Sequence, residues 1–329
     1  MTATLDSARR IAFDELLDQR APSDWPLVTP CSAPDATWGV FDGDAVVARS
    51  SAWWSGTPQL EGERVGVVGH FGASCANSAR DVLDSACDAL YDAGATVAIG
   101  PMDGSTWRRY RLVTDRASEP PFLLEPTNPA HWPEWFRDAG WRVHARYHSA
   151  VNEDLSRVDD TVAAKADRLA IRGVTIRDMD LARANDELRS LHAVAATAFH
   201  GSHLYTPLSA DDFVRLYQPV LPCVDPRLVS IAEHEGRAVG FCFCVPNVLE
   251  SARGESARSA VLKTFAVLPG YTGLGGVLAA HTNAAAQKLG FTRVIHALMH
   301  EDNERSRALS ARSGRVIRRY ALFERRLRP

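Results

Sequence analysis

Val261-Leu262-Lys263-Thr264-Phe265-Ala266-Val267-Leu268-Pro269-Gly270-Tyr271-Thr272-Gly273-Leu274-Gly275-Gly276-Val277-Leu278-Ala279-Ala280-His281 decides the reading of this chain. Residues 261–268 alternate in the manner of a strand, and Pro269 ends it. Four glycines, Gly270, Gly273, Gly275 and Gly276, then open directly into an alanine-rich helix. The first N–H groups of a helix have no partner inside it, and the helix dipole favours an anion there. Glycine lets the backbone approach that anion closely. Strand, glycine turn and helix start are therefore a site for a diphosphate.

Working outward, residues 293–299 read as a second strand, followed by His300-Glu301-Asp302-Asn303, a helix over 304–313, and Gly314. This stretch resembles the GCN5-related N-acetyltransferase (GNAT) family. In that family a strand ends in Val-x-Pro, followed by Arg-Gly-x-Gly-x-Gly, a helix, a strand and Asn-x-x-Ala-x-x-Leu-Tyr. Val267, Pro269, Gly273, Gly275, Asn303, Leu309 and Gly314 fall in register with it. Thr272 stands where the family has Arg or Gln, Val277 for the last Gly, Ser306 for Ala, Ser310 for Tyr and Arg315 for Phe.

The second half reads as a complete unit. A strand at 174–180 leads to a helix at 181–199, a broken segment at 201–207 and a short helix at 211–217 capped by Ser209. Strands at 228–233 and 238–245 follow, joined by Glu235-Gly236. The strand, loop, helix, strand and helix already described come next, and a strand at 316–325 closes the chain. The first half repeats this order loosely: a hairpin about Asp42-Gly43-Asp44, a strand at 64–71, a helix at 79–93 ended by Gly94, and a short strand at 97–99. The expected fold is α/β (α+β): two tandem GNAT-like domains, each a mixed, mostly antiparallel sheet flanked by helices. Residues 1–150 form a degenerate domain without the phosphate loop, 151–173 a linking helix, and 174–329 the domain with the CoA site. At 72–78 the first half reads Gly-Ala-Ser-Cys-Ala-Asn-Ser, and one glycine does not reproduce the row of open N–H groups. The segment 100–107, followed by Arg108, Arg109 and Arg111, is either a turn carrying solvated arginines or a pocket rim facing the other half.

The 329 residues are 46% hydrophobic and 23% charged, an ordinary globular balance, and the net charge of -3 argues against a nucleic-acid surface. Of 37 basic residues only three are lysine, which with the abundant alanine fits a bacterial, GC-rich source. Residues 1–19 place Leu5, Ala8, Ala12 and Leu16 at helical spacing and do not read as a signal peptide. No apolar run reaches membrane-spanning length. The six cysteines have no zinc spacing, and Cys242 and Cys244 read as core. A cytoplasmic protein without a metal is expected.

The resemblance implies an acyl-CoA (acetyl-CoA) dependent N-acyltransferase. Backbone groups of Phe265, Ala266 and Val267 would hold the pantetheine and the thioester carbonyl. Thr272, Gly273, Leu274, Gly275 and Gly276 would hold the diphosphate, with Asn303 and Ser306 alongside. Proton-transfer candidates are Glu233, His300 and Glu301 as base and Ser310 as acid. His203 and Tyr205, with His200, lie on the loop that would form the acceptor wall. The acceptor is expected to be a small amine or secondary metabolite. The alternative is a catalytically inactive acyl-CoA sensor or scaffold.

Overall fold

The computed structural model describes residues 7–18, 21–29, 33–303 and 314–327. The chain opens with β1 (Arg9–Ile11) and α1 (Phe13–Asp18). The hairpin β2 (Ala36–Asp42) and β3 (Ala45–Trp53) follows, then β4 (Val65–Ala73), α2 (Ala76–Asp92) and β5 (Val97–Gly100). β6 (Leu112–Asp115), α3 (Trp132–Asp138) and β7 (Arg142–Asn152) complete the first half. The second half begins with α4 (Thr161–Ile171), β8 (Thr175–Asp178), α5 (Ala184–Ala198) and α6 (Ala210–Tyr217). It continues with β9 (Val229–His234), β10 (Arg237–Pro246), α7 (Val248–Ala252), β11 (Ser259–Val267), α8 (Leu274–Lys288), β12 (Arg293–His300) and β13 (Gly314–Arg326).

Local chemistry explains the elements. The β2–β3 and β9–β10 hairpins turn at Gly43 and at Glu235-Gly236, all with positive φ, as tight antiparallel turns demand. α2 buries Ala79, Val82, Leu83, Ala86, Cys87 and Leu90, one stripe at helical spacing. The Ser209 hydroxyl accepts the Asp212 N–H at 3.1 Å, so the expected cap of α6 is present. Residues 9–11 pair with β2 as a strand, overriding the helical spacing of Ala8 and Ala12.

Among the described residues the thirteen strands form one sheet, in the order β1-β2-β3-β4-β5-β13-β7-β12-β11-β10-β9-β8, with β6 beside β13. Two parallel pairs, β4 with β5 and β11 with β12, mark equivalent positions in the two halves. The closing strands are exchanged. β7, from the first half, pairs with β12 of the second; β13, the last strand, pairs with β5 of the first. β7 and β13 pair with each other from Asn152–Gly314 to Arg142–Glu324. A cut at residue 150 would therefore pass through a strand that the second half uses. The linking helix is shorter than the expected 151–173: Val151 and Asn152 finish β7, and the helix is α4 alone.

Clusters of buried apolar side chains hold the layers on the sheet. α2 and α3 cover one face of the first half, where Phe71, Trp132, Phe136 and Phe323 meet. α8, through Leu274 and Leu278, packs with α4 over Ala260 and Leu262 in the second. α5 and α6 pack over Phe241, Phe243 and Ile231. A fourth cluster, with Tyr147, Tyr320 and Leu322, takes in Leu204 from the α5–α6 loop, so the second half closes over the first.

Candidate functional site

The site is built on β11. Its parallel pairing with β12 runs from Ser259–Arg293 to Leu262–His296 and stops there. Its antiparallel pairing with β10 continues to Val267, so Phe265, Ala266 and Val267 keep a neighbour on one side only among the described residues. β12 meanwhile bends. Its pairing with β7 breaks between His296 and Met299, and Leu298 has a φ of 63°. The two strands thus splay. Leu268 N–H donates to Val239 O at 2.9 Å, so by strand alternation the Ala266 N–H also points to β10, and the N–H groups of Phe265 and Val267 face the gap.

The glycine loop lies at the end of this splay. Gly270 and Gly273 have φ of 89° and 91°, a region that side chains disfavour, and Gly273 caps α8. Thr272 and Gly276 are exposed, and Leu274 is buried beneath them. A Cβ on Gly275 would meet the Phe265 ring at 2.9 Å, whereas one on Gly276 would find nothing closer than Val162 at 3.9 Å. The approach to the helix start at Gly276 is open and suits a diphosphate. α4 runs beside it. The Lys165 methylenes lie against Gly273, and Arg172 donates to the Gly270 carbonyl at 3.3 Å.

The equivalent place in the first half is filled. A Cβ on Gly72 would fall 2.4 Å from the Trp25 ring, which stacks edge-on with Trp132 and under Arg49. Between β4 and β5 the gap is closed by the segment after Pro101: Met102 N–H donates to Val68 O at 2.8 Å, and Asp103 accepts the His70 N–H at 2.7 Å.

His300, His203 and Tyr205 converge where the halves meet. His300 ends β12 opposite Tyr147, its ring 4.8 Å from Tyr147 and 5.6 Å from His203. Its Nδ1 accepts the Asp302 N–H at 3.1 Å, so the neutral ring carries its proton on Nε2. That atom is buried without a partner among the described residues. Burial, helped by the Arg111 charge, lowers its pKa against the pull of Asp302. Sequence reasoning missed the groups behind His203. Glu324 Oε2 lies 2.6 Å from His144 Nδ1, and His144 Nε2 lies 2.8 Å from His203 Nε2. Burial and the rings of His144 and His300 push His203 down to about 4. Glu324, His144 and His203 come from β13, β7 and the α5–α6 loop, and no spacing in the sequence joins them. Tyr205 hydroxyl donates to Ala196 O at 3.5 Å, and its ring meets Trp107. Trp107 Nε1 donates to Thr206 O at 2.8 Å, so the 100–107 segment does face the second half.

Glu233 lies elsewhere, at the outer side of the sheet on β9. Its carboxylate accepts Arg177 Nη2 at 2.8 Å, and the same guanidinium holds Glu187. Glu301 accepts Arg319 Nη1 at 3.1 Å. Asn303 N–H donates to His300 O at 3.1 Å. Ser306 and Ser310 lie outside the described residues. Among the described residues, no three His, Cys, Asp or Glu side chains are placed to hold a metal ion. No helix among them is long and apolar enough to cross a membrane.

No family model matches the sequence. A bacterial ceramide synthase from Caulobacter vibrioides (strain NA1000 / CB15N) is 25% identical over 187 residues, 56% of this chain and 49% of that protein. The chain thus spans about half the length of this curated relative. Among solved structures, a GCN5-related glucosamine N-acetyltransferase region of a fungal multi-domain GH3 β-N-acetylglucosaminidase aligns with 98% of this chain and 38% of its own, at a TM-score of 0.55 and 15% identity. A GCN5-related N-acetyltransferase from Kribbella flavida aligns with 99% of this chain and 72% of its own, at 0.51 and 14%. Another from Anabaena variabilis ATCC 29413 covers 89% and 63%, at 0.51 and 10%. The splayed β11 and β12, the glycine-capped α8 and these likenesses agree: the chain has the GCN5-related N-acetyltransferase fold.

Proposed function

We propose that this chain transfers an acyl group from acyl-CoA to an amine, with the thioester bound in the second half alone. The observation that carries the reading is the end of β11–β12 pairing at Leu262–His296, with an open, glycine-capped helix start at the end of the same strand. In this reading Thr272–Gly276 hold the diphosphate through backbone N–H groups. The N–H groups of Phe265 and Val267, on the open edge of β11, lie against the pantetheine and stabilise the oxyanion that forms at the thioester carbonyl. The acceptor enters from the junction of the halves, past His203 and Tyr205. The first half serves as wall and partner: Trp25, Met102 and Asp103 fill the places that a second CoA would need.

The ceramide synthase likeness directs the choice of acceptor. A ceramide is the N-acyl derivative of a long-chain amino alcohol, so such an amine belongs in the first panel beside small amines and amino acids. Calorimetric titration with acetyl-CoA and longer acyl-CoAs, then thiol release with that panel, tests the reading. One binding event per chain with amine-dependent thiol release supports it. Binding without turnover of any amine marks a sensor or scaffold instead.

A further inference from the structure

Of the three lysines in the chain, Lys165, Lys263 and Lys288, Lys263 alone stands where the strands part. It is the first residue beyond the last β11–β12 pair. It is also the extra residue of a bulge: Leu262 faces Cys244 and Thr264 faces Phe243, leaving Lys263 unpaired. A bulge re-aims the side chain it carries. The neighbouring Thr264 hydroxyl meets Tyr217 of α6 at 2.9 Å, which places this stretch of β11 under the helix pair beside the junction. Among the described residues Lys263 Nζ makes no hydrogen bond and no ion pair.

Arg111 reaches the same place from the first half. It is 5% exposed, donates Nη1 to Leu298 O at 3.1 Å, and lies between the Tyr110 and Tyr147 rings at 3.7 and 4.0 Å. It is fixed, and no carboxylate pairs with it among the described residues. A half-buried ammonium beside a fixed guanidinium, with no counter-ion, favours its neutral form. Burial first, and then Arg111, lower Lys263 to about 7. Other titratable groups on the surrounding elements are Tyr147 and His148 of β7, His296 and His300 of β12 and Tyr217 of α6; Arg111 is the charge that acts on it. His300 is less suited to accept a proton, because Nδ1 is already engaged by the Asp302 N–H.

We propose that Lys263 is the general base of the transfer, taking the proton of the acceptor's ammonium in the gap between β11 and β12, with Arg111 as the positioning charge beside it. This rests on the acyltransferase reading above. The acceptor R–NH3+ gives one proton to the Nζ lone pair, leaving R–NH2 and the Lys263 ammonium. The amine nitrogen attacks the thioester carbon, and its second proton passes to solvent. The C–S bond breaks as the C–N bond is completed, and the Lys263 ammonium protonates the departing thiolate, which restores the neutral lysine.

The test combines rates with chemical titration. With an amine that the wild type acylates, K263M and K263Q should lower kcat/KM by ~10²–10⁴-fold and lose the acidic limb of the rate–pH profile, with acetyl-CoA affinity kept. K263R, which keeps a charge that does not come off, should be as slow. R111M should move the limb to higher pH. Independently of turnover, competitive acetylation of the free protein with acetic anhydride, read by mass spectrometry, should show Lys263 titrating at about 7. Folded K263M with the wild-type rate and limb overturns the proposal while the acyltransferase reading stands. Lys263 titrating at the ordinary lysine value also overturns it. A wild type that binds acyl-CoA and acylates no amine removes the reading and the proposal together.

Discussion

Two neighbouring glycines of the loop separate backbone strain from ligand access. Gly273 has a φ of 91°, and a Cβ there would lie 3.1 Å from two Lys165 methylenes. The lysine can give by a few tenths of an ångström, so the cost of Gly273→Ala is mainly the left-handed backbone, ~1–2 kcal/mol. If the loop keeps its shape, that amount leaves the folding stability. If it relaxes, the amount leaves CoA affinity, a weakening of roughly 5–30-fold. Urea melts and calorimetry together should account for it. Gly276 behaves differently. Its φ is not positive, and a Cβ meets nothing within 3.9 Å. Gly276→Ala should leave the free protein unchanged or raise its stability by ~0.5–1 kcal/mol, as Gly-to-Ala in a helix does. Yet its methyl occupies the exposed approach to the helix start, and CoA should bind at least about tenfold more weakly, ~1.4 kcal/mol. A folded Gly276→Ala protein that binds CoA as tightly as the wild type would refute the placement of the diphosphate.

Glu250 is fully buried and accepts from Arg258 N, Ser259 N, Ser259 Oγ and Arg293 Nη2 at 2.8, 2.9, 2.5 and 3.2 Å. Glu250→Ala should cost ~3–5 kcal/mol in urea unfolding, because Arg293 is left buried with one partner fewer. Burial holds the His70 and His296 rings neutral down to about 4, whereas unfolded histidine takes up a proton near 6.5. The unfolded state therefore binds more protons over that window. Stability should fall as pH drops through it, by up to roughly 1.4 kcal/mol per unit per ring. Urea midpoints at pH 7 and 5 measure this, and His296→Gln should flatten the slope. Glu233→Gln should lower the acylation rate less than about tenfold, under ~1.4 kcal/mol of barrier, since Arg177 already engages that carboxylate; a loss of 10²-fold or more would return Glu233 to the reaction.

Period-two strands, glycine turns and helix caps were legible along the chain, because each is fixed by neighbours within a few residues. Residues 259–300 follow the reading almost position for position, from β11 through α8 to β12. The exchange of β7 and β13 was not legible. An alternating strand states which face it buries, not which edge it joins, and both strands find an equivalent parallel pair in either half. The absence of a glycine row at 72–78 did show that the first half differs. That Trp25, nearly fifty residues earlier, fills the space beside Gly72 is a long-range fact. The junction was hidden for the same reason: His144, His203, His300, Glu324, Arg111 and Lys263 come from separate elements. Lys263 itself sat within the stretch that decided the fold, yet only the bulge and Arg111 distinguish it from a solvated strand lysine.

A crystal structure of the chain grown with acetyl-CoA tests the central claim most directly. The account predicts one CoA per chain, its diphosphate against the N–H groups of 272–276 and its thioester between β11 and β12 beyond Leu262 and His296. A CoA bound instead at 72–78 of the first half, or no CoA at saturating concentration, would contradict it.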